Sequence, residues 1–554
     1  MKMVRPDLSE MRSHGAWRRA VSFSSAVSIA LALASAAAPS PALAVAVTRG
    51  PYLQIGTPNS IVVRWRSDLA SDSRVRYGTA IGSLGSTQDD LALSTEHEVK
   101  IVGLAPQTRY FYSIGTTTQI LEGDDVDHSF VTFPPAGTPR PTRLWVIGDP
   151  GTGTSEQAAV RDAYAAYNGS RYTDLWLMLG DNAYSSGTDA EYQSAVFNMY
   201  SGLLKKTVLW PARGNHDGVA AGTGNDYYDF FSLPMGAEAG GLSSGTEAYY
   251  SYDYGNIHMI CLDSEGSDRA PAGAMLTWLA NDLAATNKDW VIAYWHHPPY
   301  TKGSHDSDNA TDSSGKMRDM RQNALPILEA GGVDLVLTGH SHSYERSCLL
   351  DGHYGLSTTL TAAMKIDPGD GRVGGNGAYH KPAGQATHAG AVYTVAGSSG
   401  HTGGGSLNHP VMISSLNELG SLVIDIDGTR LDARFLNQLG AVRDSFTVIK
   451  APRAGLGKGG PDDHLSILPG RPNPFAAESR IGYKLPSPGP VRLSVLDVNG
   501  RRVRTLVSGD RHQGLNLAVW DARDDRGQRV GAGVYFVMLE FESRSWARRL
   551  VLEP

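Results

Sequence analysis

Residues 175–184 read Leu-Trp-Leu-Met-Leu-Gly-Asp-Asn-Ala-Tyr, a short apolar run that leads into a carboxylate and a phenol. The run has the length and the uninterrupted hydrophobicity of a strand that is buried on both faces. Four other places in the chain repeat this pattern of an apolar run followed by polar, ligand-type side chains. The five motifs are Gly148-Asp149-Pro150-Gly151, Gly180-Asp181-Asn182-Ala183-Tyr184, Gly214-Asn215-His216-Asp217, His296-His297-Pro298-Pro299-Tyr300 and Gly339-His340-Ser341-His342.

The order of these runs predicts an α/β layer domain in which the five motifs meet. Apolar runs precede the other four motifs at 144–147, 208–210, 290–295 and 333–337. Patterns with helical spacing lie between them at 158–167, 275–285 and 317–330. In layered α/β folds, sites form where loops leave the carboxyl ends of the strands. Three later runs are expected to be antiparallel strands, the last two across an Asp427-Gly428 turn: 389–396, 421–426 and 431–435.

The polar side chains of the motifs are carboxylates, a phenol, an amide and imidazoles. This mixture suits a pair of hard or borderline metal ions that lie close together. Any one of these short motifs alone is more often a simple turn than a ligand. Their joint occurrence in this order reverses that judgement and predicts a dinuclear metal site.

The same residues resemble those of the purple acid phosphatases, a family within the metallophosphoesterase superfamily. The resemblance covers roughly residues 47 to 450. It extends beyond the five motifs to Tyr249-Tyr250-Ser251-Tyr252-Asp253, to Ile260-Cys261-Leu262-Asp263 and to Ser343-Tyr344-Glu345-Arg346, which follows the last histidine motif.

The resemblance implies two metal ions that share Asp181 as a bridging ligand. The first ion, ferric in the family, is expected at Asp149, Asp181, Tyr184 and His342. The second, a divalent ion (Fe, Zn or Mn), is expected at Asp181, Asn215, His296 and His340. Phenolate and carboxylates suit a trivalent hard ion, whereas imidazoles and an amide suit a borderline divalent one.

The expected reaction is hydrolysis of small-molecule phosphomonoesters by a metal-activated hydroxide. His216 and His305 are the candidates to protonate the leaving group, while His297 fits a packing role at least as well. Tyr184 favours an acid phosphatase over a cyclic-nucleotide phosphodiesterase. Two alternatives stay open: a phosphodiesterase or nucleotide-releasing hydrolase, and a non-catalytic surface adhesion or scaffold protein.

With 554 residues the chain is too long for one core. The expected fold class is multidomain: an N-terminal β-sandwich, a central α/β (βαββα-type layered) metallophosphoesterase domain and a C-terminal β-sandwich. The segment 103–110 resembles the tyrosine corner of fibronectin type III domains. The expected division is a signal peptide at 1–44, a fibronectin type III-like domain at 45–135, the catalytic domain at 140–450, a linker at 451–464 and an Ig-like module at 465–554.

Both ends of the chain indicate export. Residues 18–44 combine two arginines, an apolar run and a small-residue end, the pattern of a secretory signal peptide, with an uncleaved membrane anchor as the alternative. The C-terminal module resembles flagellar hook-capping and type IX secretion sorting domains, with a plain accessory domain as the alternative. The protein is therefore expected to be exported through the periplasm and secreted or held at the cell surface. Its possible partners are the secretion machinery or a surface anchor, with no membrane span after signal cleavage.

The formal net charge is −7, and no cluster of Lys and Arg stands out. Nucleic-acid binding is therefore not expected. The two cysteines, Cys261 and Cys348, do not have metal-ligand spacing. In an exported protein they can form a disulfide, or remain as buried thiols.

Overall fold

The computed structural model describes residues 44–218, 226–451 and 466–554, the last range without 469, 471, 486–487, 499 and 542–543. The chain divides into two compact units, 1–451 and 452–554. The predicted signal peptide, except Ala44, and the predicted linker, except Ala451, lie outside the described residues. Among the described residues, no helix has both the length and the apolar character that crossing a membrane requires.

The first unit begins with six strands in one sheet: β1 Val47–Gln54, β2 Ser60–Gly78, β3 Ser86–Val102, β4 Arg109–Gly115, β5 Ile120–Gly123 and β6 Ser129–Val131. The long β2 pairs antiparallel with β1, β3 and β4. The Tyr110 hydroxyl accepts a hydrogen bond from the Ala105 backbone N–H (3.0 Å), as in a tyrosine corner.

The rest of the first unit contains two seven-stranded mixed sheets and a two-stranded sheet. Its strands are β7 Thr142–Ile147, β8 Leu175–Met178, β9 Leu209–Pro211, β10 Tyr250–Tyr254, β11 Ile257–Cys261, β12 Trp290–Trp295, β13 Leu335–Thr338, β14 Tyr344–Ser347, β15 Leu349–Leu350, β16 Lys365–Asp367, β17 Tyr379–Lys381, β18 Val392–Ala396, β19 Met412–Leu416, β20 Gly420–Asp427, β21 Arg430–Asn437 and β22 Val442–Lys450. Sheet I has the order β17-β22-β21-β20-β7-β8-β9, and sheet II has the order β10-β11-β12-β13-β18-β14-β19.

The helices of this unit are α1 Ser155–Asn168, α2 Asp189–Tyr192, α3 Ser201–Leu204, α4 Asp226–Phe230, α5 Ala274–Ala285, α6 Lys316–Asp319 and α7 Leu325–Ala330. A π-helical turn, Met320–Ala324, joins α6 to α7, so the helix predicted at 317–330 forms as a continuous but irregular segment. The helices predicted at 158–167 and 275–285 correspond to α1 and α5.

Each apolar run becomes a strand because both of its faces are covered. Trp145 of β7 is fully buried and stacks on Tyr164 of α1, with ring centroids 4.3 Å apart. One core contains strand residues of sheets I and II and of the N-terminal domain. A second core packs the other residues of sheet II against α5 and α7.

The five strands that precede the motifs belong to parallel groups: β7-β8-β9 in sheet I, and β12-β13, with β11 parallel beside β12, in sheet II. The hairpin predicted across Asp427-Gly428 is formed by β20 and β21. The expectation that the run at 389–396 is simply antiparallel is wrong in part. Val392–Ala396 lies parallel to β13 and antiparallel only to β14, because an apolar run does not specify its neighbours. Cys261 and Cys348 are buried free thiols.

The second unit contains β23 Ser466–Ile467, β24 Ser479–Leu485, β25 Gly489–Leu496, β26 Arg502–Arg511, β27 Gly514–Trp520, β28 Gly533–Phe541 and β29 Arg544–Leu552. They form a three-stranded sheet, β23-β24-β27, and a four-stranded sheet, β26-β25-β28-β29. Inward-facing residues of both sheets, among them Tyr483, Leu493 and Trp520, share one core.

The contacts of a buried histidine in the first unit should make the free energy of unfolding depend on pH. His258 of β11 lies 2.9 Å from an Asp253 oxygen and 2.8 Å from an Asp282 oxygen. Burial lowers the pKa of His258, but the hydrogen bonds and charges of these carboxylates outweigh it and raise the pKa to about 9. The stabilisation is complete below the ordinary pKa of about 6.5 and is lost as the pH rises through 9, a change on the order of 3 kcal/mol.

We therefore expect His258→Gln to remove this dependence. The free energy of unfolding of the parent protein and of His258→Gln is measured with denaturant at pH 6, 7.5 and 9. The parent should be the more stable of the two at pH 6, and the difference should shrink as the pH rises. A difference that stays constant over this range would contradict the expectation.

Candidate metal centre

The motif residues lie at the carboxyl ends of β7, β8 and β9 in sheet I and of β12 and β13 in sheet II. Three of them, each directly after a glycine, have left-handed backbone conformations: Asp149 (φ 54°), Asp181 (φ 52°) and His340 (φ 66°). Residues other than glycine adopt this conformation infrequently, and it occurs at ligand and active sites where the surrounding structure enforces it. These sharp turns are one sign that the site is built for a ligand.

The first set of donors contains Asp149, Tyr184 and His342. The Tyr184 hydroxyl lies 3.3 Å from Asp149 Oδ1 and 3.3 Å from His342 Nε2. His342 Nε2 lies 3.5 Å from the same Asp149 oxygen. Ligand atoms of Asp149, Asp181 and His342 all lie within 4.8 Å of one another. Four of the predicted ligands therefore meet at one point.

The second set contains Asn215, His296 and His340. His296 Nε2 is its centre: it lies 2.9 Å from Asn215 Oδ1, 3.2 Å from His340 Nδ1 and 3.4 Å from Asp181 Oδ1. Asp181 thus belongs to both sets, as a bridging carboxylate requires. The structure brings together all seven side chains that the sequence nominated as ligands.

The charges of the site fit cations. Asp149 and Asp181 are 0% and 1% exposed, and within the described ranges their ion-pair partners are histidines only. Burial raises the pKa of Asp149 and of Tyr184 well above their usual values, and the charge of Asp181 raises both further. Buried carboxylates without a Lys or Arg partner are costly unless a metal ion offsets their charge. The donor types and this excess of negative charge therefore fit two metal ions.

Hydrogen bonds orient the donors. His296 Nδ1 donates to the Leu179 carbonyl oxygen (2.9 Å), which leaves Nε2 free to act as a ligand. The backbone N–H of His340 donates to Asp149 Oδ2 (2.7 Å), and that of His216 donates to Asp181 Oδ1 (2.8 Å). His340 Nε2 lies 2.6 Å from the Ser313 hydroxyl oxygen. Four of the seven predicted ligands, Asp149, Asp181, His296 and His340, are thus oriented by hydrogen-bond contacts with other parts of the protein.

Asp217 ties two motif loops together. Its carboxylate accepts hydrogen bonds from the Gly214 N–H (2.8 Å), the Asn182 N–H (2.9 Å) and the Tyr192 hydroxyl (2.7 Å). Gly214 lies so close to Asp181 that an added Cβ would stand 2.3 Å from Asp181 Oδ1. The loops that carry Asp181 and Asn215 therefore form one rigid assembly.

A capping residue fixes the loop after Tyr184. The Glu191 carboxylate of α2 accepts the backbone N–H groups of Ser185 (2.7 Å) and Ser186 (3.2 Å). Asp189, two residues earlier, forms ion pairs with Arg49 (2.7 Å) and Arg66 (2.7 Å) of the N-terminal domain. The N-terminal domain thus supports the segment that carries Tyr184.

The two candidate proton donors lie at the exposed rim of the site. His216, whose side chain is 38% exposed, directs Nδ1 to the Ser185 carbonyl oxygen (2.7 Å) and Nε2 to Asp181 Oδ2 (3.9 Å). His305 stacks on His340 with ring centroids 4.0 Å apart, and its Nδ1 lies 2.8 Å from Asp312 Oδ1. Both imidazoles are therefore held next to predicted ligands.

Two more histidines line the site. His297 is buried with Nδ1 2.9 Å from the Ser264 hydroxyl oxygen, and its ring lies 4.3 Å from that of His340, an arrangement that fits packing. His401, which the sequence analysis missed, lies 3.8 Å from His342 and 5.2 Å from Tyr184 between ring centroids. Burial lowers the pKa of His401 to about 4.

Comparison with known proteins agrees with the motif-based resemblance. Residues 142–344 match the family model of calcineurin-like phosphoesterases, residues 49–132 match the purple acid phosphatase N-terminal domain, and residues 473–545 match the FlgD Ig-like domain. The three matches follow the order in which the described strands form the N-terminal domain, the two large sheets and the second unit.

Curated relatives agree with this resemblance, and solved structures share the fold. Purple acid phosphatases 15 and 23 of Arabidopsis thaliana are 26% and 28% identical to the chain over 45% and 50% of its length. The chain spans only 49% and 62% of these two relatives. A purple acid phosphatase from yellow lupin (Lupinus luteus) seeds aligns with a TM-score of 0.53 at 16% identity, covering 74% of this chain and 78% of that one. PhoD aligns with a TM-score of 0.51 at 13% identity over 72% and 89%.

The resemblance to the purple acid phosphatases and the fold class, both predicted from the sequence, are confirmed. The chain contains a purple acid phosphatase N-terminal domain, a metallophosphoesterase domain and a FlgD Ig-like domain, and it has purple acid phosphatase homologues.

Proposed function

We propose that this chain is an exported, metal-dependent phosphatase that hydrolyses small-molecule phosphomonoesters at a dinuclear centre. The observation that carries the proposal is the convergence of two donor sets on the one buried carboxylate of Asp181, 3.4 Å from His296 Nε2. A protein that served only as an adhesin or scaffold would have no use for two buried carboxylates without a Lys or Arg partner.

The proposed ligands divide by chemistry. Asp149, Asp181, Tyr184 and His342 would hold Fe(III), because phenolate and carboxylate oxygens favour a hard trivalent ion. Asp181, Asn215, His296 and His340 would hold a divalent ion: Fe, Zn or Mn. When bound, the two ions would supply Lewis-acid activation of water and of the phosphoryl group.

Two histidines at the rim would donate a proton to the leaving group. His216 directs Nδ1 to the Ser185 carbonyl oxygen, which fixes that nitrogen as the N–H donor and leaves Nε2 facing the centre. When His216 is protonated, Nε2 can transfer its proton to the leaving oxygen. His305, held by Asp312 and stacked on His340, is the second donor of this kind. Both side chains are partly exposed, 38% and 30%, so a small ester can reach them.

Export and attachment belong to the same proposal. The signal-like sequence at 1–44 would direct the chain out of the cytoplasm. The second unit would then serve secretion or attachment at the cell surface, a role supported by the match of residues 473–545 to the FlgD Ig-like domain. The biological role would be the release of inorganic phosphate from organic esters outside the cytoplasm.

Phosphate release from an aryl phosphomonoester and from the matching diester tests the proposal. The full chain is assayed as purified, after chelation, and after reloading with iron and zinc. We expect monoester hydrolysis that chelation abolishes and metal restores. Preference for the diester would mean that the protein is a phosphodiesterase and not a phosphomonoesterase. A chain that holds two metal ions but hydrolyses neither ester would contradict the catalytic function.

A further inference from the structure

A loop outside the five motifs forms one side of the metal centre. Residues 397–405 follow β18, at the same edge of sheet II as the loops after β12 and β13. Three backbone hydrogen bonds fix the loop to the motifs: Gly397 N–H to the Ser343 oxygen (3.2 Å), Ser399 N–H to the Gly148 oxygen (3.1 Å) and Gly403 N–H to the His342 oxygen (2.9 Å). The position of its central residue, His401, is thus set by the same loops that carry Asp149 and His342.

The loop packs so closely against the first motif that Gly400 has no room for a side chain. A Cβ added at Gly400 would lie 2.6 Å from the Asp149 backbone oxygen. His401, the next residue, is therefore the point at which the loop presents a side chain to the centre. Its ring contacts both Tyr184 (5.2 Å) and His342 (3.8 Å), two proposed ligands of the same ion.

The imidazole of His401 has an unused polar atom. Its Nδ1 is buried and has no hydrogen-bond partner in the part of the chain that the structure describes. A buried donor or acceptor without a partner costs free energy, so native structures usually supply one from the protein, from ordered water or from a bound ligand. The other histidines at the rim differ, since His216 Nδ1 faces the Ser185 oxygen and His305 Nδ1 faces Asp312.

We propose that His401 is a substrate-contacting residue whose Nδ1–H donates a hydrogen bond to a phosphoryl oxygen of the bound ester. A phosphate monoester brings several acceptor oxygens to the centre, and His401 Nδ1, beside Tyr184 and His342, is a buried nitrogen without a partner among the described residues. His401 would complete a rim of three imidazoles, with His216 beside Tyr184 and His305 beside His340. The inference rests on the proposed function and deepens it by adding a phosphate contact from outside the motifs.

Two substitutions separate this role from ring packing. His401→Phe keeps a ring against Tyr184 and His342 but removes the nitrogen, whereas His401→Asn places an amide N–H near the position of Nδ1. Binding of inorganic phosphate to the metal-loaded full chain is measured by calorimetry, with metal content and the thermal unfolding midpoint as controls. We expect His401→Phe to weaken phosphate binding about 10- to 100-fold, as loss of a hydrogen bond to a charged group predicts. His401→Asn should recover most of the affinity, and both variants should keep two metals and the midpoint of the parent.

The possible failures are distinguishable. If the parent protein with two metals binds phosphate and hydrolyses monoesters but His401→Phe binds phosphate equally well, the inference is overturned and the proposed function stands. If His401→Phe and His401→Asn lose affinity to the same extent together with their metal, His401 only supports the ligands and the inference is again overturned. If the parent protein with two metals neither binds phosphate nor hydrolyses esters, both proposals fail.

Discussion

Asp181→Asn is expected to abolish hydrolysis and to weaken the binding of both metal ions. The substitution removes the negative charge that the two donor sets share, while the amide oxygen can still accept the hydrogen bond from His216 N–H. Asparagine also tolerates the left-handed backbone at this position (φ 52°), so the loop should not be strained. Loss of a single preorganised electrostatic group costs at least about 100-fold in turnover, and a bridging ligand should cost more.

Asp124→Asn is a matched control for this variant. Asp124 also has a left-handed backbone (φ 64°) and lies in the N-terminal domain, where it accepts a hydrogen bond from the Gly82 N–H (2.7 Å). The same chemical change there should leave kcat/KM and metal content at the level of the parent. Hydrolysis by Asp181→Asn at the rate of the parent would remove the catalytic assignment of this centre.

Asp334→Asn should be the most destabilising of the substitutions considered. Asp334 precedes β13 and pairs with Lys381 of β17 (2.7 Å) and Lys450 of β22 (2.6 Å), and each of the three side chains is only 1% exposed. The cluster therefore connects sheet II to sheet I. Burial lowers the pKa of Lys450, the charge of Asp334 opposes that shift, and the neighbouring Lys381 adds to it.

Replacing Asp334 removes the carboxylate with which both buried ammonium groups form ion pairs. We expect a loss of about 3–5 kcal/mol in the free energy of unfolding, as for other buried pairs that lose one partner. Asp162→Asn makes the same change in an exposed pair with Arg161, where the carboxylate is 65% exposed, and should cost less than about 1 kcal/mol. Denaturant unfolding of both variants measures the contrast, and equal stabilities would show that the buried cluster carries no such cost.

The sequence was sufficient to predict that the five motifs converge at one edge of the sheets. Each apolar run ends within five residues of its ligand-type side chain. The parallel order of β7 to β9 and of β11 to β13 therefore brings the motif side chains to one edge. Buried parallel strands have a signature that short-range sequence reveals. The ligand pairs themselves, such as Asn215 with His296 at 2.9 Å, follow from that topology.

Other features depend on contacts that local sequence does not encode. The contacts of His401 with Tyr184 and His342 arise because the loop after β18 packs against the motif loops, and the local sequence does not show that packing. The direction of β18 relative to β13 is set by its neighbours in the sheet, and an apolar run carries no information about them. The structural role of Asp217 depends on Tyr192, which lies 25 residues away on another element, so the local motif does not reveal it.

The most direct test of the dinuclear centre is the metal content of the full chain, measured by elemental analysis after loading with iron and zinc and removal of unbound ions. We expect two ions per chain in the parent protein and a clear loss in Asp181→Asn. Fewer than one ion per chain in the parent protein, or two ions retained without the Asp181 carboxylate, would contradict a centre built on that bridge.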